Sequence, residues 1–220
     1  MEALILYFVL FFPGIAASPP PDWLANGVDT VRTVPFSVLR ELGRTLTHTL
    51  PALALLLYLI SRGEPKPVKI RTLAPQKRDI LPFAIGLPVL IIIGLLIPFL
   101  ISLSSATAAA APPRIEGPYN FIGWAAMILA CLGIGYLEEL YFRYYLLSKT
   151  ENIIPQAAVR VLFSTVLFAL CHMHDGPWGV LNAALAGLFL SALFLRYRSI
   201  HGIALAHAGY NMFVYVMGTV

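Results

Sequence analysis

Tyr136-Leu137-Glu138-Glu139-Leu140-Tyr141-Phe142-Arg143 sits inside an apolar run from 119 to 147, and the three charges in its middle decide what kind of protein this is. The run is longer than the ~20 residues that carry a helix across a ~30 Å hydrocarbon layer. Ionisable groups at such depth cost roughly 2.5 to 3.5 kcal/mol each on insertion scales, and they mark functional sites by default, paired or facing water. Glu139 and Arg143 are four apart, hence on one helix face and placed to pair. Glu138 is rotated about 100° from Glu139, so its partner has to come from another helix.

The rest of the chain has the same character. Hydrophobic residues make up 59% and charged residues 12%, against about a quarter charged in soluble domains, and the mean hydropathy is +0.79. Windows of membrane-spanning length fall approximately at residues 3–17, 38–60, 80–103, 119–147, 157–172, 178–195 and 202–217. The fold class expected is all-α, a polytopic transmembrane helical bundle of about seven helices. Composition breaks at 61–76 and at 104–118, dividing the chain into N-terminal segments, 1–118, and a core, 119–220, whose last four helices hold all the unusual polar residues. Residues Gly179, Ala183, Gly187 and Ser191 form a small-residue stripe of the kind that lets helices approach closely in lipid.

The net charge of +4 is concentrated in a loop at 61–79, with Arg62, Lys66, Lys69, Arg71, Lys77 and Arg78. The positive-inside rule makes that loop cytoplasmic, so the excess calls for no nucleic-acid partner. Alternation then puts Lys149, Arg196 and Arg198 on the same side, the N-terminus in the cytoplasm and the C-terminus outside. Arg40 and Arg44 dissent, and residues 36–47 are read as an interfacial amphipathic helix whose basic residues snorkel to the headgroups. The first segment ends in Ala16, Ala17 and Ser18, as a secretory signal does, but it lacks a basic leading region and is read as a retained membrane helix. Trp23, Trp124 and Trp178 fit interfacial anchors. Short loops and a short chain point to a bacterial cytoplasmic (inner) membrane.

Two further polar patterns accompany the glutamates. His172 closes the fifth segment four residues after Phe168, and imidazole shares protons with carboxylates near neutrality; Glu138 and His172 together suit the capture and deprotonation of a water. His207 and Asn211 are four apart on the last segment and face the same way, a pair of donors suited to an oxyanion hole, typically worth ~2.7 to 4 kcal/mol per donor. Counting 1.5 Å per residue, Glu138, His172 and Asn211 all fall roughly 15 to 18 Å from the basic side. Cys131 and Cys171 are read as small core residues, and His174 with Asp175 as a solvated turn ahead of Gly176 and Pro177.

Glu138-Glu139-x-x-x-Arg143, Phe168-x-x-x-His172 and His207-x-x-x-Asn211, in that order on separate apolar helices, resemble the three motifs of the CAAX protease and bacteriocin-processing (CPBP, or Abi) intramembrane proteases. The resemblance covers about the last 100 residues. It implies a glutamic-type endopeptidase in which Glu138 and His172 activate water, His207 and Asn211 bind the oxyanion, and Glu139 and Arg143 support the site. Its substrate would be a membrane-associated protein or peptide.

Two rival readings accompany this one. A zinc site from Glu138, His172 and His207 satisfies the ligand types of a catalytic zinc, although the helical His-Glu-x-x-His signature is absent; no cofactor is the expectation, with zinc the alternative. A transporter or accessory protein with a polar path would carry inverted repeats, and none is visible.

Overall fold

The computed structural model describes residues 2–17, 33–62, 74–103, 114–118 and 120–217. Ser18, Trp23, Lys66, Lys69 and Arg71 lie outside the described residues. Among those described, the chain is a bundle of seven helices: α1 (Glu2–Ala17), α2 (Val38–Ser61), α3 (Ile80–Leu103, led by a 3-10 turn over Lys77–Asp79), α4 (Phe121–Lys149), α5 (Ala157–Leu170), α6 (Gly176–Tyr197) and α7 (Ile200–Met217). Two connecting segments add a parallel ladder, β1 (Thr33–Pro35) with β2 (Arg114–Glu116), in register Thr33↔Arg114 and Pro35↔Glu116. The helices beginning α2, α3 and α4, and the one that runs from the turn at Met173 through α6, are long and apolar enough to cross a membrane, whereas α1 and α5 are shorter apolar helices. This is the build of a membrane protein. At 14 residues, α5 is about 21 Å long.

Local chemistry sets the ends. Ser37 accepts the Arg40 N–H at the start of α2, Asn120 accepts the Gly123 N–H at the start of α4, and Asp79 accepts the Gln76 N–H at 2.6 Å ahead of α3. Such caps satisfy amides that a helix leaves unpaired. Gly176, at φ 78°, makes the reversal between α5 and α6, a backbone shape that glycine adopts without strain.

The separate interfacial helix expected over residues 36–47 does not form. Val38–Ser61 is continuous, with a π-helical stretch at Thr45–Thr49. Thr45 and Thr47 hydroxyls donate to the Glu41 and Gly43 carbonyls at 2.8 Å, a back-bonding that loosens helical winding. Glu41 is buried, pairs with Arg44 at 2.7 Å and with Arg40 at 3.6 Å, and its arginines stay half-exposed. The charges that argued against a crossing helix thus compensate one another.

Helix α7 is the hub, packed against both α3 and α4, while α5 lies on α6. Its contacts are close because small residues line them. A Cβ on Gly135 would come within 3.0 Å of the Ala204 carbonyl, and one on Gly202 within 2.5 Å of the Asp79 carbonyl. At the basic end, Ser199 donates to Asp79 at 2.5 Å, and Lys149 reaches Glu2 at 3.3 Å. The N-terminal helices are therefore packed directly on the last four: α1 sets Tyr7, Phe11 and Leu6 into the aromatic core around Tyr141 and Phe142.

Candidate active site

Helix α4 changes winding where its charges begin. After Glu139 it runs as a π-helix through Leu140–Leu146, a widening frequent at functional sites. Glu139 and Arg143 are among the most enclosed side chains of the protein, at 0% and 1% exposure. They form the expected pair, with Arg143 Nη1 3.2 Å from Glu139 Oε1. The guanidinium lies 4.4 Å from the centre of the Phe168 ring, and its other terminal nitrogen points to the Gly187 carbonyl at 3.5 Å. The small-residue stripe of α6 has a second use here: without a side chain at Gly187, Arg143 reaches the backbone, and an added Cβ would press on Phe168 at 3.1 Å.

His207 brings α7 into this cluster. Its Nδ1 lies 2.8 Å from Glu139 Oε1, and its Nε2 lies 3.5 Å from Glu138 Oε2. A carboxylate paired with arginine only accepts, so Nδ1–H is the donor to Glu139 and Nε2 is turned to Glu138. Protonated at both nitrogens, His207 would bring the cluster of two carboxylates and one guanidinium to zero net charge, the balance that ionic groups need in a low-dielectric site.

His172 is near but differently placed from the sequence expectation. Helix α5 ends at Leu170, and His172 stands in the turn that follows. Its Nδ1 donates to the Phe168 carbonyl at 3.0 Å, since a carbonyl has no proton to give, and this leaves the Nε2 lone pair available. The Phe168 ring links the two imidazoles, 4.8 Å from His172 and 5.9 Å from His207 by ring centres. Glu138 and His172 do not meet directly; among the described residues the ionic partner of Glu138 is His207. Asn211 follows His207 by one turn on α7, partly buried, and its carboxamide makes no hydrogen bond to another described side chain or backbone group. The structure thus joins Glu138, Glu139, Arg143 and His207 in one contact set, with His172 across a phenylalanine.

Sequence reading missed two parts of this. Phe168 lies against Arg143 and both histidines, and its place in Phe168-x-x-x-His172 was the available signal. The bond between Glu139 and His207 had no signal within either segment. The thiol of Cys171 turns away from the site, toward the Leu167 carbonyl and the Tyr7 hydroxyl, and His174 pairs with Asp175 at 3.3 Å in a partly exposed turn. Among the described residues no three His, Cys, Asp or Glu side chains gather in a group that could hold a metal ion.

Residues 120–213 match the family model described as type II CAAX prenyl endopeptidase Rce1-like. No curated protein and no solved structure matches the chain. The matched residues begin at the cap of α4 and end in α7 beyond Asn211, so they contain every residue of the cluster. Helices α4 to α7 are therefore similar, over those residues, to the Rce1-like family of type II CAAX prenyl endopeptidases.

Proposed function

We propose that the chain is an intramembrane endopeptidase that hydrolyses a peptide bond of a membrane-associated protein or peptide by direct water attack. Glu138 takes a proton from the water, assisted by the Nε2 of His172. The hydroxide oxygen bonds to the carbonyl carbon, and the carbonyl becomes an oxyanion facing His207 Nε2 and the Asn211 carboxamide. Collapse breaks the C–N bond, and the proton held at Glu138 passes to the departing amine. No covalent enzyme intermediate forms.

The observation that carries this reading is the grip on His207. Glu139 holds Nδ1 at 2.8 Å, and Arg143 in turn holds Glu139, so Nε2 is aimed at the Glu138 side of the site before substrate arrives. Preoriented donors of this kind stabilise developing charge without reorganising. The donor role requires the imidazolium, which the charge count favours. The free Nε2 of His172 supplies the complementary acceptor.

Orientation and metal use are part of the same proposal. Arg62, Lys77, Arg78, Lys149, Arg196 and Arg198 lie at one end of the bundle, supporting a cytoplasmic assignment for that end and for the N-terminus, in a bacterial inner membrane. The reaction runs without a resident metal. The test is cleavage of a membrane-tethered reporter by wild type and Glu138→Ala in reconstituted vesicles. Product from wild type and none from the variant is the expected result; equal product from both removes Glu138 from the mechanism.

A further inference from the structure

The last turn of α5 is wound more tightly than the rest of that helix. Cys171 N–H donates to the Phe168 carbonyl at 3.2 Å and His172 N–H to the Ala169 carbonyl at 3.0 Å, both over three residues rather than four. Tight winding deprives the Leu167 carbonyl of the Cys171 amide it would receive in a regular α-helix. An unpaired carbonyl at this depth costs several kcal/mol on the scale that forbids open backbone in lipid. Leu167 is instead supplied from α1: the Tyr7 hydroxyl donates to it at 3.1 Å, with the Cys171 thiol a weaker donor at 3.4 Å. Tyr7 is 4% exposed, and its ring is held edge-on by Phe142, 6.3 Å between centres.

The next carbonyl along, Phe168, is the one that receives His172 Nδ1. It does so on its second lone pair, beside the Cys171 amide that tight winding has put in the place of the His172 amide. We infer that Tyr7 is a positioning residue for the hydrolysis: by supplying the Leu167 carbonyl from α1, its hydroxyl holds the end of α5 in the tight turn that fixes the ring and tautomer of His172. This rests on the role proposed above for His172. Without the hydroxyl, the Cys171 amide returns to Leu167, the His172 amide moves from Ala169 to Phe168, and this shift of the His172 backbone carries the imidazole away from Glu138.

The test compares Tyr7→Phe with Tyr141→Phe in reconstituted vesicles, following kcat, KM and the pH profile of kcat/KM. Tyr141 also ties α1 into the bundle, through the Ala3 carbonyl at 2.6 Å, but among the described residues its hydroxyl makes no hydrogen bond to α5. Tyr7→Phe is expected to lower kcat about tenfold, as misplacement of a reacting group does, to leave KM within about twofold, and to move the limb of the pH profile that titrates with His172. Tyr141→Phe leaves that limb in place. Should Tyr7→Phe not fold, Cys171→Ala removes the weaker donor and moves the same limb by a smaller amount. An unmoved limb in Tyr7→Phe, or in Cys171→Ala where that is the variant used, or an equal movement in Tyr141→Phe, overturns the inference. Product from Glu138→Ala would instead overturn the hydrolytic reading itself, and the two failures are separable.

Discussion

Glu139 and His207, 68 residues apart and on different helices, meet at 2.8 Å through Oε1 and Nδ1 with neither residue more than 4% exposed. The same carboxylate oxygen is ion-paired with Arg143 at 3.2 Å, so one atom joins α4 to α7 and settles the direction of an imidazole. Glu138, the adjacent residue, has among the described residues a single ionic contact, the 3.5 Å approach of His207 Nε2. Two neighbouring glutamates therefore do different work, and substitution separates them.

Glu138→Gln keeps shape and loses basicity. Activity on a tethered reporter is expected to fall by about 10² to 10⁴, the range for a positioned acid–base group, while the thermal midpoint in detergent stays close to wild type. Glu139→Gln leaves Arg143 buried without its counter-charge, and removing one partner of a buried pair costs about 3 to 5 kcal/mol. A large fall in the unfolding midpoint is expected for Glu139→Gln alone. Equal midpoints for the two variants would refute the division of labour.

Arg143→Lys preserves charge but not the plane. The guanidinium on Phe168 and the contact to Gly187 are both lost, and a desolvated cation–π contact is worth about 2 kcal/mol. Lower thermal stability and reduced turnover are expected, and Phe168→Leu should weaken stability in the same sense without adding fully to Arg143→Lys in the double variant.

Glycine substitutions probe helix spacing. Gly135→Ala puts a Cβ 3.0 Å from the Ala204 carbonyl and 3.1 Å from the Ala208 amide, and main chain in a packed helix has little room to give. It is expected to part α4 from α7 and reduce activity along with stability. Gly43 has nothing within 4 Å of an added Cβ, so Gly43→Ala is expected to be neutral or to gain up to about 1 kcal/mol from helix propensity. Thermal unfolding and reporter cleavage of both variants check this.

Chelation tests the metal-free proposal. Cleavage by reconstituted protein is expected to be unchanged after exhaustive dialysis against a chelator. Activity that disappears and returns on adding zinc would restore the rival reading from Glu138, His172 and His207.

How much of this was legible beforehand follows from what each pattern encodes. Apolar windows located all seven helices because hydrocarbon imposes a length, and i,i+4 spacing anticipated the Glu139–Arg143 pair because both groups share one helix. Spacing says nothing about rotation between helices, so the capture of His207 by Glu139, and not only by the Glu138 side, was invisible. His172 was read as the last residue of a helix, whereas the Leu167 and Phe168 carbonyls are taken by side chains and the helix closes two residues earlier. Arg40 and Arg44 misled because Glu41, lying between them, was not weighed as their partner. The ladder of β1 with β2 joins three-residue pieces too short for any periodicity to show.

The brevity of α5 has a consequence for where a scissile bond must lie. A rod of about 21 Å cannot match a layer of about 30 Å, and the turn after it, from Cys171 to Gly176, carries amides and carbonyls that lipid does not solvate. Moisture has to descend to that turn from the nearer leaflet. On the role proposed for His172, the level at which a substrate is cut would be set by the point where this helix gives out, and lengthening it by one turn would move the cut toward the nearer surface.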